Sequence, residues 1–295
     1  VKRDGVSEWQ PALCRKIPVP RGDLSKVKVI AIANHKGGVG KTTTAVNLAA
    51  CLVERGCEVL VIDLDPQGNA TSHLGFSPND FDKTINDVLV DPTNTEDING
   101  IIVEHGTPGL FLVPANLAMS RADLSMSALI EKDHRLRKAI KKLRKNYDFV
   151  LIDCPPSLAT LSVNAFFAAD DIIIVVQTQP MALDAVRMID ETLFEVYSSR
   201  PDFPIVPYGL PTMHDKLTTV SSTVLEAINR KFHPNVFSPI HTNVKLKEAS
   251  GYGKHILEYD PLCPGATDYR RLAKEVTAIY EREKEEGRRY IIRNS

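Results

Sequence analysis

The chain has 295 residues, of which 43% are hydrophobic and 25% charged, a balance that suits a globular protein with a sizeable core. A formal net charge of −1 excludes a global field that would draw in nucleic acid or a membrane, so any basic surface must be a local patch. No apolar run approaches the roughly 18–20 residues that span a bilayer, and the first residues lack a charged-then-apolar secretory signal. The five cysteines (Cys14, Cys51, Cys57, Cys154 and Cys263) are scattered without metal-ligand spacing; an odd count favours a reducing cytoplasm.

In chain order, residues 1–26 carry Pro11, Pro18, Pro20 and Gly22 and read as a flexible lead-in. Val27–Ala33 is an apolar, β-prone run, followed by a glycine-rich loop and a helix over Thr43–Glu54. Val59–Ile62, Phe149–Ile152 and Ile172–Val176 are apolar on both alternating faces, as buried parallel strands are. Helical periodicity covers Arg135–Lys145, Leu158–Ala168, Met181–Tyr197, Val220–Phe232 and Ala266–Glu285. This alternation predicts a single doubly wound α/β domain over residues 27–280, its mostly parallel sheet covered by helices on both faces. A charged tail, residues 281–295, closes the chain.

The loop His35-Lys36-Gly37-Gly38-Val39-Gly40-Lys41-Thr42-Thr43 sits between strand and helix, the context a phosphate-binding loop requires. Glycines let backbone N–H groups converge on phosphate oxygens, and the helix N-terminus adds partial positive charge at the same spot. Lys41 is placed for the β- and γ-phosphates, and the Thr42 hydroxyl for Mg²⁺. Lys36, at the outer bend, is badly placed for the phosphates its own loop wraps but can reach a nucleotide on a facing subunit. Two further acids follow apolar strands. Asp63-Leu64-Asp65-Pro66-Gln67 begins where the second strand ends, and Asp153 ends the third, before Cys154-Pro155-Pro156. Ligands gather at the carboxyl ends of parallel strands, so a hydrophobic strand closing on Asp153 fits an acid that holds Mg²⁺ opposite Thr42.

The lysine-glycine-glycine-x-glycine-lysine-threonine variant resembles the deviant Walker A box of the ParA/MinD family of P-loop ATPases. The segments Asp63–Gln67, Thr242–Ala249 and Tyr259–Pro261 look like the ParA-type members of that family. The resemblance implies an ATP-sandwich homodimer, ATP and Mg²⁺ as cofactors, and weak intrinsic ATP hydrolysis. It also implies sequence-indifferent DNA binding at the nucleoid, and a ParB-like or other adaptor that stimulates turnover. On it, residues Lys36–Thr43 bind nucleotide, and Lys36 and Lys41 act in catalysis. Asp65 orients the attacking water, and Asp63 supports the metal held by Thr42 and Asp153. Thr212, Met213 and Asn243 border the adenine, and Lys245, Lys247, Lys254, Arg270 and Arg271 face DNA. The family's proline and arginine before Asn243 are His241 and Thr242 here.

Three relatives of the same fold compete with that reading. A MinD-like membrane regulator needs a C-terminal amphipathic helix, and residues 281–289 present no apolar face. A nitrogenase-reductase-like carrier needs paired cysteines, for which Cys154 has no companion. A related metabolic ligase needs an acceptor pocket that no motif announces. The acid-free run Arg135–Lys145 reads as a solvated helix face.

Overall fold

The computed structural model describes residues 27–93, 95–129, 131–180, 182–199 and 206–285. The lead-in, residues 1–26, lies outside them, as does the tail beyond Glu285. The strands are β1 (Lys28–Ala33), β2 (Val59–Asp63), β3 (Val103–Glu104), β4 (Leu110–Val113), β5 (Phe149–Asp153), β6 (Asp171–Gln177) and β7 (Val206–Thr212). They form one sheet in the order β3-β4-β2-β5-β1-β6-β7, parallel except for the β3–β4 pair. The chain leaves β1 for β2, returns to place β5 between them, and then crosses to β6.

Alternate residues of each central strand enter different cores. Val29, Ala31, Leu60, Ile62, Val150, Ile152, Ile172 and Ile174 pack on one side, with α5 (Arg135–Lys141), α6 (Thr160–Ala168) and α7 (Ala182–Ser199). Ile30, Ile32, Val59, Val61, Leu151, Ile173 and Val175 pack on the other, against α1 (Lys41–Glu54) and α11 (Pro264–Glu285). Each fully buried Ile or Leu contributes roughly 1.5–3 kcal/mol relative to exposure, which is why the strands read as unbroken apolar runs. The remaining helices are α2 (Asn69–His73), α3 (Ile85–Val90), α4 (Ala122–Ser127), α8 (Thr219–Phe232), α9 (Val244–Gly251) and α10 (Ile256–Tyr259).

The expected doubly wound sheet is present. The basic helix ends at Lys141, four residues short of its predicted end. Three charges of the basic run, one on the helix and two just beyond it, are paired locally. Lys138 pairs with Glu131, Arg144 with Asp97, and Lys145 with Glu58 at 3.0 Å, its ammonium lying 3.7 Å from the Phe111 ring centroid.

Candidate active site

Register alone brings the acids together. Ile32 of β1 lies opposite Asp153 of β5, and Asp153 lies opposite Asp63 of β2, so both carboxylates end their strands beside the glycine loop. Gly38 and Gly40 take φ of 73° and 98°, a left-handed backbone that side chains disfavour, which lets the loop curl before α1 starts at Lys41. Asn34 pins the loop's entry: its Nδ2 donates to Val175 O at 2.5 Å, and its Oδ1 accepts from Lys36 N at 2.8 Å. Thr212, only 2% exposed, pins the far side by donating its hydroxyl to Val39 O at 2.8 Å.

The two loop lysines are treated in opposite ways. Lys41 is 7% exposed and its ammonium donates to Lys36 O at 3.2 Å, inside its own loop. Burial lowers its pKa, while Asp153, Cys154 and Asp65 oppose that shift. Lys36 is exposed at the outer bend, beside Gln177, Gln179 and Pro180 of the β6–α7 connection.

Asp153 is fully buried and accepts from the Thr42 hydroxyl at 2.7 Å through Oδ2, while its Oδ1 is buried without a hydrogen-bond partner. Burial, followed by the charge of Asp63, holds its carboxyl well above the usual range. An orphaned carboxylate oxygen and a neighbouring hydroxyl, with the charges of Asp63 and Asp65 close by, form the oxygen-rich, acidic setting that a hard divalent cation takes. The residues fit Mg²⁺. Asp63 turns both oxygens on the chain itself: Thr71 donates its N–H and its hydroxyl to Oδ2, each at 2.8 Å, and Asp65 N donates to Oδ1 at 3.2 Å. Burial pushes its pKa up to about 6. Asp65 sits on the turn after β2, 6% exposed, with Gln67 N donating to its Oδ1 at 2.9 Å.

Other predicted residues lie elsewhere. Met213 follows Thr212 with φ of 50° and accepts from Gln177 Nε2 through its sulfur at 3.1 Å. Asn243 caps α9, accepting from Lys245 N at 2.8 Å. Lys247 and Lys254 are exposed and enter no ion pair among the described residues. Lys245 pairs with Glu248 at 2.8 Å, Arg270 with Glu54 at 2.7 Å and Arg271 with Asp268 at 2.7 Å. Sequence reasoning missed Asn34 and Thr71, although an Asn just before a glycine loop is an ordinary turn-forming signal. It also missed a network in which His241 Nδ1 meets Asp268 Oδ2 at 2.9 Å and His214 Nδ1 meets Ser221 at 2.9 Å.

A glycine loop joining a central strand to a helix N-terminus, with a buried lysine and a strand-end aspartate on its threonine, defines a P-loop nucleotide-binding protein. Residues 27–204 match a family model described as an AAA domain. The chain is 40% identical over 252 residues to the sporulation initiation inhibitor protein Soj of Bacillus subtilis, covering 85% of this chain and 98% of that protein. It is 39% identical over 254 residues to the chromosome partitioning protein ParA of Caulobacter vibrioides, covering 85% and 94%. Among solved structures it resembles a Mycobacterium smegmatis cobyrinic acid a,c-diamide synthase with bound ADP and magnesium, at 31% identity and a TM-score of 0.74 over 89% of this chain and 97% of that one. A plasmid partition protein from Borrelia burgdorferi shares 28% identity and a TM-score of 0.63, over 79% and 97%. The chain belongs to the ParA/MinD family of P-loop ATPases, among its Soj-like ParA members.

Proposed function

We propose that this protein is a ParA-type partition ATPase that closes as a homodimer over two ATP molecules. In that state it binds DNA without sequence preference, and an adaptor protein stimulates hydrolysis and release. The observation that carries this reading is the division between the lysines: Lys41 is buried in its own loop, whereas Lys36 stands exposed on the outer bend. A lysine there has no phosphate to serve within its own subunit. Across a dimer it meets the partner's.

Within residues 27–280, the N–H groups of Gly37–Thr43 cradle the phosphates, with Lys41 on the β/γ oxygens. Thr42 and Asp153 hold Mg²⁺, which when bound neutralises charge on the β- and γ-phosphates. Asp63 keeps the Asp65 turn in place by accepting from Asp65 N and anchors the helix after it through Thr71, and Asp65 orients the attacking water. Met213 offers the adenine an apolar edge, while Thr212 and Asn243 fix the loops beside it. A small-molecule ligase is the second reading, favoured by the likeness to the synthase. Light scattering with ATP against ADP separates the two: a partition ATPase doubles its mass only with ATP, and a ligase shows no such dependence.

The exposed lysines of α9 and its following loop set the DNA prediction. If a dimer neutralises about 6 phosphates, the log–log salt slope of binding is about −5. Lys247→Ala with Lys254→Ala in both subunits flattens the slope by roughly 3 to 4 without changing ATP affinity, as fluorescence anisotropy at several salt concentrations reads out. An unchanged slope returns these lysines to an ordinary solvated surface.

The use that α11 makes of its apolar stripe speaks against a membrane role. Tyr269, Leu272, Ala273 and Val276 are buried in the core, and no helix among the described residues is long and apolar enough to cross a bilayer. Sedimentation with anionic vesicles in ATP is expected to leave the protein in the supernatant, and pelleting in ATP but not ADP would favour a MinD-like role.

A further inference from the structure

Away from the nucleotide loop, two distant stretches of chain bring three metal-binding groups together at the antiparallel end of the sheet. His105 follows β3, and His255 and Glu258 belong to the entry and first turn of α10. One ring nitrogen from each imidazole and one carboxylate oxygen all lie within 4.8 Å of one another. His255 Nε2 and Glu258 Oε1 are 3.4 Å apart. Ligands of a tetrahedral ion with bonds of about 2.0–2.1 Å stand about 3.3 Å apart, so only His105 has to close in.

One residue, Thr107, occupies the point on which the three converge. Its N–H donates to His105 Nδ1 at 3.0 Å, and its hydroxyl donates to Glu258 Oε1 at 3.0 Å while lying 2.9 Å from His255 Nε2. Thr107 lies in a turn between exposed Gly106 and Pro108, and an ion would replace its three contacts with bonds to the same ligand atoms. A further imidazole stands behind this group. His73, at the end of α2, is 1% exposed, and neither of its ring nitrogens has a well-formed partner among the described residues. It is near enough to His255 for the two rings to act on each other's charge. Gly75 and Gly253 bring the segments together: a Cβ on Gly75 would lie 2.9 Å from Gly253 O.

We propose that His105, His255 and Glu258 form a zinc-class metal site, distinct from the nucleotide site, that ties the β3–β4 turn to α10. Two imidazoles and one carboxylate suit Zn²⁺ and its neighbours in the first transition row, whereas Mg²⁺ and Ca²⁺ take oxygen. Ligation through Nε2 places the ring's proton on Nδ1 and gives up two contacts, the 2.9 Å one with the Thr107 hydroxyl and the 3.3 Å one from Glu258 N that caps α10. Water completes the fourth position on the exposed Glu258 side. The site borders Lys254, so an ion there would hold one edge of the lysine face.

The test uses the full chain, stripped with chelator and free of nucleotide, titrated with Zn²⁺ by calorimetry. One ion per chain with a raised Tm is expected, and Co²⁺ should give the visible absorption of tetrahedral coordination. Glu258→Gln and His105→Gln are expected to weaken Zn²⁺ at least tenfold each, with circular dichroism and Mg-ATP affinity unchanged. Thr107→Ala removes the competing hydroxyl and is expected to bind Zn²⁺ at least as tightly as the parent. No saturable binding by the parent chain, or equal binding by the Glu258→Gln/His105→Gln double variant, overturns the proposal.

Discussion

Lys41→Ala is expected to lose nucleotide binding by about 100-fold, whereas Lys36→Ala keeps monomer affinity within a few-fold and loses the ATP-induced dimer. The two residues lie five positions apart in one loop, so the contrast depends on direction alone. Lys41 is buried with its ammonium folded under the loop, 3.2 Å from Lys36 O, where phosphate oxygens would replace that carbonyl. Deleting a buried charge-assisted contact costs about 3 kcal/mol, and that accounts for the affinity loss. Lys36 is exposed at the outer bend and its ammonium takes no part in holding the loop, so its removal leaves the cradle intact. Its contribution arises only when a second subunit places phosphates against it, in the way a finger residue stabilises transferring charge. Such residues are worth about 10³-fold or more in turnover, so adaptor-stimulated hydrolysis falls by a comparable factor. Nucleotide affinity by calorimetry and mass by light scattering, measured on both variants, decide the matter. A Lys36→Ala protein that dimerises in ATP and turns over normally would remove the basis for the sandwich.

The parts of this arrangement that were legible in the sequence are those whose physics is local. The β1 run, the glycine loop and α1 are contiguous, and β2, β5 and β6 are apolar on both faces because helices cover both. β7 escaped because Pro207, Gly209 and Pro211 interrupt its pattern. It stands at the sheet's end, where missing strand-edge donors cost little, and its outer side still bonds Asn235, Phe237 and Ile240. β4 is only four residues long, and α10 is a single turn. The supporting shell was illegible for a different reason. Thr212 meets Val39 across 173 positions, and Thr107 meets His255 across 148, and no periodicity or spacing announces such pairs. The acids were readable as strand ends. Which of them has oxygens to spare was not, since Thr71, which occupies Asp63, lies on a short helix with no sequence signature of its own.

That difference between the acids sets the second large effect. Asp65→Ala is expected to bind Mg-ATP and dimerise normally while its hydrolysis falls by about 10²–10³-fold, leaving the protein held on DNA. Water positioning matters in the transition state, whereas ground-state affinity rests on the loop, so removing Asp65 separates the two. Asp63 is unsuited to that task because Thr71 and the Asp65 amide already take both of its oxygens. Asp63→Ala therefore acts on folding: it strands the Thr71 donors in a fully buried site, at a cost of about 2–4 kcal/mol, read as a lowered Tm. Asp153→Ala acts on a third quantity, Mg-ATP affinity, because Asp153 shares its oxygen with Thr42 and has a second one without a partner. Three carboxylates within one strand-end cluster thus yield three separable defects. Single-turnover hydrolysis, calorimetry and thermal denaturation on the three variants read them independently. Unchanged turnover in Asp65→Ala, or loss of Mg-ATP binding alongside turnover, would take the water-orienting role away from this residue.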